Sequence, residues 1–301
     1  MAKFDIIGKT KLWFIISLLV IIPGIFCLAT RGLNFGIDFT GGTIIDLEFS
    51  RPVTIAEVRS SLAKFDLEGA TIQLSGAASD VTSSSDVMIR TIDMDDDQRR
   101  EVLETLKNDI ADYTLMREEK VGATIGGELI TNAIMALLVS WALIICYVAL
   151  RFEWRFGVAA VLGIMHDILI VLAVFSFTGR PVDSSFIAAL LTIVGYSIND
   201  TIVIFDRIRE NLRLHFRRGD SIAKLVNTSI FQTLTRSLYT VFTVLFTTAA
   251  LYFFGGDTTK DFSFALLVGF GVGCYSSIFI ASPLWVVLHK MGDKKRSAVK
   301  A

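Results

Sequence analysis

Six long apolar stretches restrict this chain to a helical membrane architecture. They lie at about 12–29, 130–150, 156–177, 186–205, 230–254 and 262–288. At a rise of about 1.5 Å per residue, each is long enough to cross roughly 30 Å of hydrocarbon. The composition agrees, with 52% apolar residues and 23 phenylalanines in 301 positions. About a hundred residues of ordinary soluble composition separate the first stretch from the second, and the later connections are short. The expected order is one helix, a domain, then five helices.

Orientation is read from Lys and Arg in the short connections, which stay on the cytoplasmic side. Lys3, Lys9 and Lys11 precede the first helix, and Arg151 and Arg155 lie between the second and third. Arg207, Arg209, Arg213, Arg217, Arg218 and Lys224 follow the fourth, and Lys290, Lys294, Lys295, Arg296 and Lys300 follow the sixth. The opposite short loops hold only Arg180 and Lys260. Both termini are therefore expected in the cytoplasm and the soluble insert outside. The first stretch is too long for the apolar core of a cleavable signal and is read as an uncleaved anchor. Expected boundaries are 1–30 for the amino terminus and first helix, 31–128 for the external domain, 129–290 for the five-helix domain and 291–301 for a cytoplasmic tail.

The insert reads as two copies of strand, helix, strand. Residues 43–49 alternate Ile45, Leu47 and Phe49 with Asp46 and Glu48, the period of a half-buried strand. Thr54 and Glu57 form a capping box, followed by Ile55, Val58, Leu62 and Phe65 at helical spacing. Strands are expected at 70–74 and 87–92, flanking a loop at 76–86, and a second helix opens on Asp95, Asp96 and Asp97. A strand at 113–121 closes the set. The β-α-β-β-α-β order predicts a ferredoxin-like α+β sandwich, a fold that by itself fixes no chemistry.

Charges inside the apolar runs carry the functional signal. Asp200 interrupts the fourth and Arg236 the fifth, where an uncompensated charge costs several kcal/mol, so such groups are commonly paired and functional. Counted from the cytoplasmic ends, both lie about 9 to 11 Å deep on antiparallel neighbours, so they can meet. Gln232, Arg236, Thr240, Thr243 and Thr247 recur along one stripe, while Tyr196, Ser197, Asn199 and Asp200 cluster near Gly195. The third helix adds His166 and Asp167 nearer the midplane. Together they sketch a proton or cation path. The competing reading is interhelical glue, and for His166 it is the stronger one. Gly269 and Gly273 mark a close-packing face.

No enzyme is expected. Asp167 and Asp200 lack the setting of an intramembrane aspartyl protease, and Gly8-Lys9-Thr10 lacks the earlier glycine and strand of a phosphate-binding loop. Cys27, Cys146 and Cys274 fall in separate apolar runs, and His166, His215 and His289 are scattered, so no metal or other cofactor is anticipated. Nor is a nucleic-acid partner; the surrounding partners are membrane lipids.

Four segments carry a resemblance: Asn34-Phe-Gly-Ile-Asp-Phe-Thr-Gly-Gly-Thr43, Val121-Gly-Ala-Thr-Ile-Gly-Gly-Glu-Leu129, His166-Asp167, and Ser197-Ile-Asn-Asp-Thr-Ile-Val-Ile-Phe-Asp-Arg-Ile-Arg-Glu-Asn211. The chain resembles the SecD/SecF protein-export family of the resistance-nodulation-division superfamily over residues 4–290. The resemblance implies a subunit that assists Sec-dependent translocation at the inner membrane, driven by the proton gradient. It implies partners as well: SecD, the SecYEG channel, YajC and the exported preprotein. An Asp and an Arg of the family's proton path match Asp200 and Arg236, within a route that also takes in Asn199, Gln232, Asp167 and His166. Gly36, Asp38, Phe39, Gly41 and Gly42 form the expected domain-coupling segment. A switch is anticipated in which ionised Asp200 attracts Arg236 and protonation releases it. A small-solute exporter of the same superfamily and a passive translocon scaffold stand as alternatives, and sodium remains open as the coupling ion.

Overall fold

The computed structural model describes residues 4–75, 82–151, 153–217 and 219–299. Lys3, Arg218 and Lys300, and positions 76–81 of the expected loop, lie outside the described residues. Among the described residues six helices are long and apolar enough to span a membrane, and the chain is a multi-pass membrane protein. They are α1 (Thr10–Arg31), α5 (Ala123–Arg151), α6 (Trp154–Thr178), α7 (Ser184–Leu214), α8 (Ile222–Phe254) and a continuous sixth. The sixth runs as α9 (Asp257–Ser276), a π-helical turn at Ser277–Ala281, and α10 (Ser282–Val299).

Several helices outrun the apolar stretches. The apolar stretch of α8 begins near 230, yet an amphipathic segment starts the helix at Ile222, burying Val226 and Ser229 and exposing Lys224 and Thr228. α7 likewise runs past the end of its apolar stretch near 205 into its arginines. The basic connections are therefore largely helical overhang.

The chain divides into two compact units, residues 1–34 with 135–301, and residues 35–134. In the second, a one-turn helix α2 (Ile37–Thr40) leads into β1 (Gly42–Val53), α3 (Ile55–Leu62), β2 (Thr71–Ser75), β3 (Ser84–Thr91), α4 (Asp96–Asp109) and β4 (Tyr113–Val121). The sheet is antiparallel in the order β2-β3-β1-β4, as the ferredoxin-like reading requires. Thr43 faces Thr91 on one side and Lys120 on the other, and a bulge between Asp46 and Leu47 shifts the β1–β4 register. Ile45, Leu47 and Phe49 of β1 join Val87 and Ile89 of β3, Val58 and Leu62 of α3, and Val102 and Leu106 of α4 in one core. The capping box forms as written in the sequence. The Thr54 N–H donates to Glu57 Oε2 at 2.8 Å, and the Glu57 N–H donates to Thr54 Oγ1 at 3.2 Å. That backbone bond from Thr54, with help from the Arg51 guanidinium, holds the Glu57 carboxyl below its ordinary range.

In the membrane unit, α6 and the sixth helix are the most buried, and α5 buries none of its apolar window against the rest of the chain. Glycines set the closest approaches. A Cβ on Gly269 of α9 would fall 2.3 Å from Ile193 Cδ1 of α7, and one on Gly24 of α1 would fall 2.3 Å from Ala173 Cβ of α6. At one end Arg180, in the α6–α7 connection, donates to Asp261 at 2.5 Å and to the Tyr252 hydroxyl at 3.1 Å, over the Phe264 ring.

A buried polar network across the membrane helices

Asp167 is fully buried at the centre of α6. Its Oδ2 accepts from Ser197 Oγ of α7 at 2.6 Å and from Ser276 Oγ of α9 at 2.9 Å, and its Oδ1 lies 3.0 Å from His166 Nδ1. The other ring nitrogen of His166 lies 3.0 Å from Ser17 Oγ of α1. Ser17 is 3.3 Å from the Tyr275 hydroxyl of α9, which donates to the Trp13 carbonyl at 3.1 Å. One carboxylate therefore gathers hydroxyls from two helices directly and reaches a third through its neighbouring imidazole. Close packing makes this possible, because Gly273 leaves its Cβ position 3.2 Å from Ser197 Cβ.

Asp200 sits one turn along α7 from Ser197, only 9% exposed. Its Oδ1 accepts from Ser237 Oγ of α8 at 2.5 Å. Its Oδ2 is buried and has no hydrogen-bond partner among the described residues. The next residue, Thr201, is 2.8 Å from Ser277 Oγ, where the sixth helix enters its π turn. Single π turns widen a helix and recur at functional positions. Here the turn follows immediately after Ser276, which holds Asp167.

Arg236 is placed differently from the sequence expectation. It is exposed on α8, and no ion pair within 4.0 Å joins it to Asp200 among the described residues, so it acts on that carboxylate only as a charge at longer range. Successive helical residues point about 100° apart, so turning Ser237 toward α7 turns Arg236 away. The stripe of Gln232, Arg236, Thr240, Thr243 and Thr247 is real and faces outward from this chain, as does Asn199 of α7. Gln232 accepts from Arg207 Nε and Asn211 Nδ2, each at 2.8 Å, near the basic end of α7. The structure thus brings together His166, Asp167, Ser197 and Asp200, and leaves Arg236, Asn199 and Gln232 apart from them.

Sequence reasoning missed Ser17, Ser237, Tyr275, Ser276, Ser277 and Thr201. Serine in a membrane helix is also an ordinary small packing residue, so its pattern alone carries no direction. The adjacent Ser276-Ser277 pair next to Tyr275 was the available signal.

In the soluble unit, Gly36 and Gly41 bracket α2. Gly41 and Gly42 have φ of 72° and 134°, and a Cβ on Gly42 would fall 2.3 Å from the Thr91 carbonyl oxygen. Ile37 and Phe39 are buried. Asp38 lies in the first turn of α2, and a Cβ on Gly126 would fall 2.6 Å from the Phe39 carbonyl oxygen. The GG segment is a tight joint whose backbone excludes side chains at Gly42.

These features meet a known pattern. The family described as protein export membrane protein SecD/SecF, C-terminal, matches residues 101–291, and the SecD/SecF GG motif matches residues 28–53. The chain belongs to the SecF family of protein translocase subunits. It is 47% identical to the protein translocase subunit SecF of Acidaminococcus fermentans over 96% of this chain and 99% of that one. With the subunit of Haemophilus influenzae the identity is 42%, over 90% and 82%. The crystal structure of SecDF from Thermus thermophilus, a translocon-associated membrane protein, superposes with a TM-score of 0.86 at 39% identity, over 96% of this chain. SecDF in a super-membrane-facing form gives 0.72 over the whole chain. This chain spans 39% and 40% of those two SecDF chains.

Proposed function

We propose that this chain is the SecF half of a SecD–SecF complex that uses the proton motive force to assist Sec-dependent translocation of preproteins. It acts beside SecYEG and YajC in the bacterial inner membrane. Both termini lie in the cytoplasm, and the α+β domain of residues 31–128 lies in the periplasm. The carrying observation is Asp200: a carboxylate buried between α7 and α8, with one oxygen on Ser237 and the other unpartnered. Such a group is costly inside a membrane, and ionisable residues kept there mark ion and proton pathways. Asp200 takes the proton, and the hydroxyls of Ser237, Thr201 and Ser277 re-orient around it.

The outward placement of Arg236 changes the expected switch. Asp200 is held in this chain by a hydroxyl rather than by a guanidinium, so Arg236 and Asn199 belong to the face that SecD covers. The unburied α5 supports the same assignment of a lateral partner. Moving one charge through 100 mV supplies about 2.3 kcal/mol, which biases a two-state bundle but does not unfold a preprotein in one step. In vesicles containing SecD and the translocon, Asp200→Asn is expected to assemble and to lose gradient-driven export under a proton gradient. Export at the parental rate refutes the reading. A response to a sodium gradient alone reassigns the ion.

A further inference from the structure

Between His166 and the backbone of α1 there are three hydrogen-bonding contacts in series. They are His166 Nε2 to Ser17 Oγ at 3.0 Å, Ser17 Oγ to Tyr275 Oη at 3.3 Å, and Tyr275 Oη to the Trp13 carbonyl at 3.1 Å. Each needs one hydrogen. Serine and tyrosine supply one apiece, so the third must come from His166 Nε2.

Whether it can depends on the other side of the ring. His166 Nδ1 faces Asp167 Oδ1 at 3.0 Å, and Asp167 Oδ2 is taken by Ser197 and Ser276. When the pair carries net charge −1, the neutral imidazole must use its only N–H toward the carboxylate. Nε2 is then an acceptor, Ser17 turns to donate to it, and two hydrogens serve three contacts. When the pair carries one more proton and is net neutral, Nε2–H donates to Ser17, Ser17 to Tyr275, and Tyr275 to Trp13. All three contacts are then made.

We infer that the His166–Asp167 pair is a proton-holding site whose state is read by the first membrane helix through Ser17 and Tyr275, so that loss of the proton leaves Tyr275 of α9 with one hydrogen bond to α1 in place of two. Ser17, His166 and Asp167 are all buried, so solvent does not supply the missing hydrogen. The titratable groups facing the pair are few. From α9 it is Tyr275, stacked on the His166 ring with centroids 6.0 Å apart, and from α7 Asp200, one turn from Ser197; Cys274 and Tyr196 lie against Asp200, and among the described residues α6 itself and α1 at Ser17 add no further charge to the pair. The residues act by position, since none of Ser17, Tyr275 or Trp13 is asked to carry the transported proton. α1 is the helix that leads, through Gly32, into the GG segment, so its linkage is a route by which protonation reaches the soluble unit along the chain. The inference rests on the proton-coupled reading above.

The test uses the complete complex reconstituted with SecD and the translocon, and reads export per proton transported across a range of internal pH. Tyr275→Phe, nearly isosteric, removes the link to both Ser17 and Trp13. It is expected to lower export per proton by about two- to tenfold, the equilibrium factor for one neutral hydrogen bond, and to flatten its pH response. Ser17→Ala is expected to do the same, and Ser17→Thr, which keeps the hydroxyl, to restore it. Parental coupling and pH response in Tyr275→Phe overturn the inference, and so does equal loss in Ser17→Ala and Ser17→Thr, which marks packing alone. Should Ser17→Ala not assemble, Tyr275→Phe decides. Asp200→Asn in the same vesicles separates the two readings: if it abolishes export while Tyr275→Phe has no effect, only this inference fails.

Discussion

Replacing Gly269 by alanine should loosen the α7–α9 packing one turn from the Gly273–Ser197 approach that lets the acid network form. The new Cβ would lie 2.3, 2.4 and 2.9 Å from Cδ1, Cγ1 and Cγ2 of Ile193, a side chain itself almost wholly buried. All three atoms belong to one residue, so Ile193 must leave its rotamer or α9 must move off α7. Overpacking of this kind costs about 1–3 kcal/mol. With a melting-point shift of about 2–4 °C per kcal/mol for a chain of this size, the purified complex should melt about 2–12 °C lower. Gly271, two residues on, has nothing within 4 Å of its Cβ position, so Gly271→Ala should melt within a degree or two of the parent.

The decisive arm is the double variant. Ile193→Ala alone leaves a cavity and costs about 2–5 kcal/mol. It also removes the three carbons that Gly269→Ala meets, so the alanine at 269 should be neutral or favourable in that background. A coupling energy of about 1–3 kcal/mol is expected between the two sites, read from melting curves or from the denaturant midpoint of the solubilised complex. Additive losses would refute the claim that one side chain bears the contact. A harmless Gly269→Ala would refute the close approach itself.

Two further substitutions test the soluble unit. Thr54→Ala should lower the protection of the α3 amides against hydrogen exchange by an amount corresponding to about 0.5–2 kcal/mol, because it removes the hydroxyl that accepts from the Glu57 N–H. Glu57 is held below its ordinary value of 4.5 chiefly by the Thr54 backbone N–H. Its contribution is thus fully present above 4.5 and lost as pH falls through the lowered folded value; exchange corrected for intrinsic rate should show this in the parent and not in Glu57→Gln. Gly42→Ala combines a φ of 134° with a carbonyl oxygen 2.3 Å from the new Cβ, so it should cost about 1–3 kcal/mol and fray the Thr43–Thr91 end of the sheet. Gly32→Ala, also at positive φ but with open space, should perturb exchange at Thr43 and Thr91 far less.

The parts legible in the sequence are those where one physical requirement leaves one solution. Bilayer thickness fixes the length of an apolar helix, so six spans could be counted, and alternation of Ile45, Leu47 and Phe49 fixes which face of β1 meets the core. The ends of α8 were not legible in that way. Ile222 to Ser229 is too polar to span, and is helical because Val226 and Ser229 pack inward. The acid site was half legible. Asp167 and Asp200 stand out as charges in hydrocarbon, but their partners are serines, and a serine gives no sign whether it packs or donates.

Arg236 shows why the rest needed coordinates. Its periodic neighbours Gln232, Thr240, Thr243 and Thr247 identify a polar stripe correctly, and periodicity is blind to which way a stripe faces. The residue that meets Asp200 is the next one, Ser237, and a shift of one position turns the guanidinium outward. An arginine facing lipid tails is costly at that depth, so on our reading the stripe is the seam against SecD, and the coupling ion passes along a boundary that neither chain closes alone. On that reading Ser237 holds Asp200 on this chain's side of the boundary, while Arg236 faces the partner.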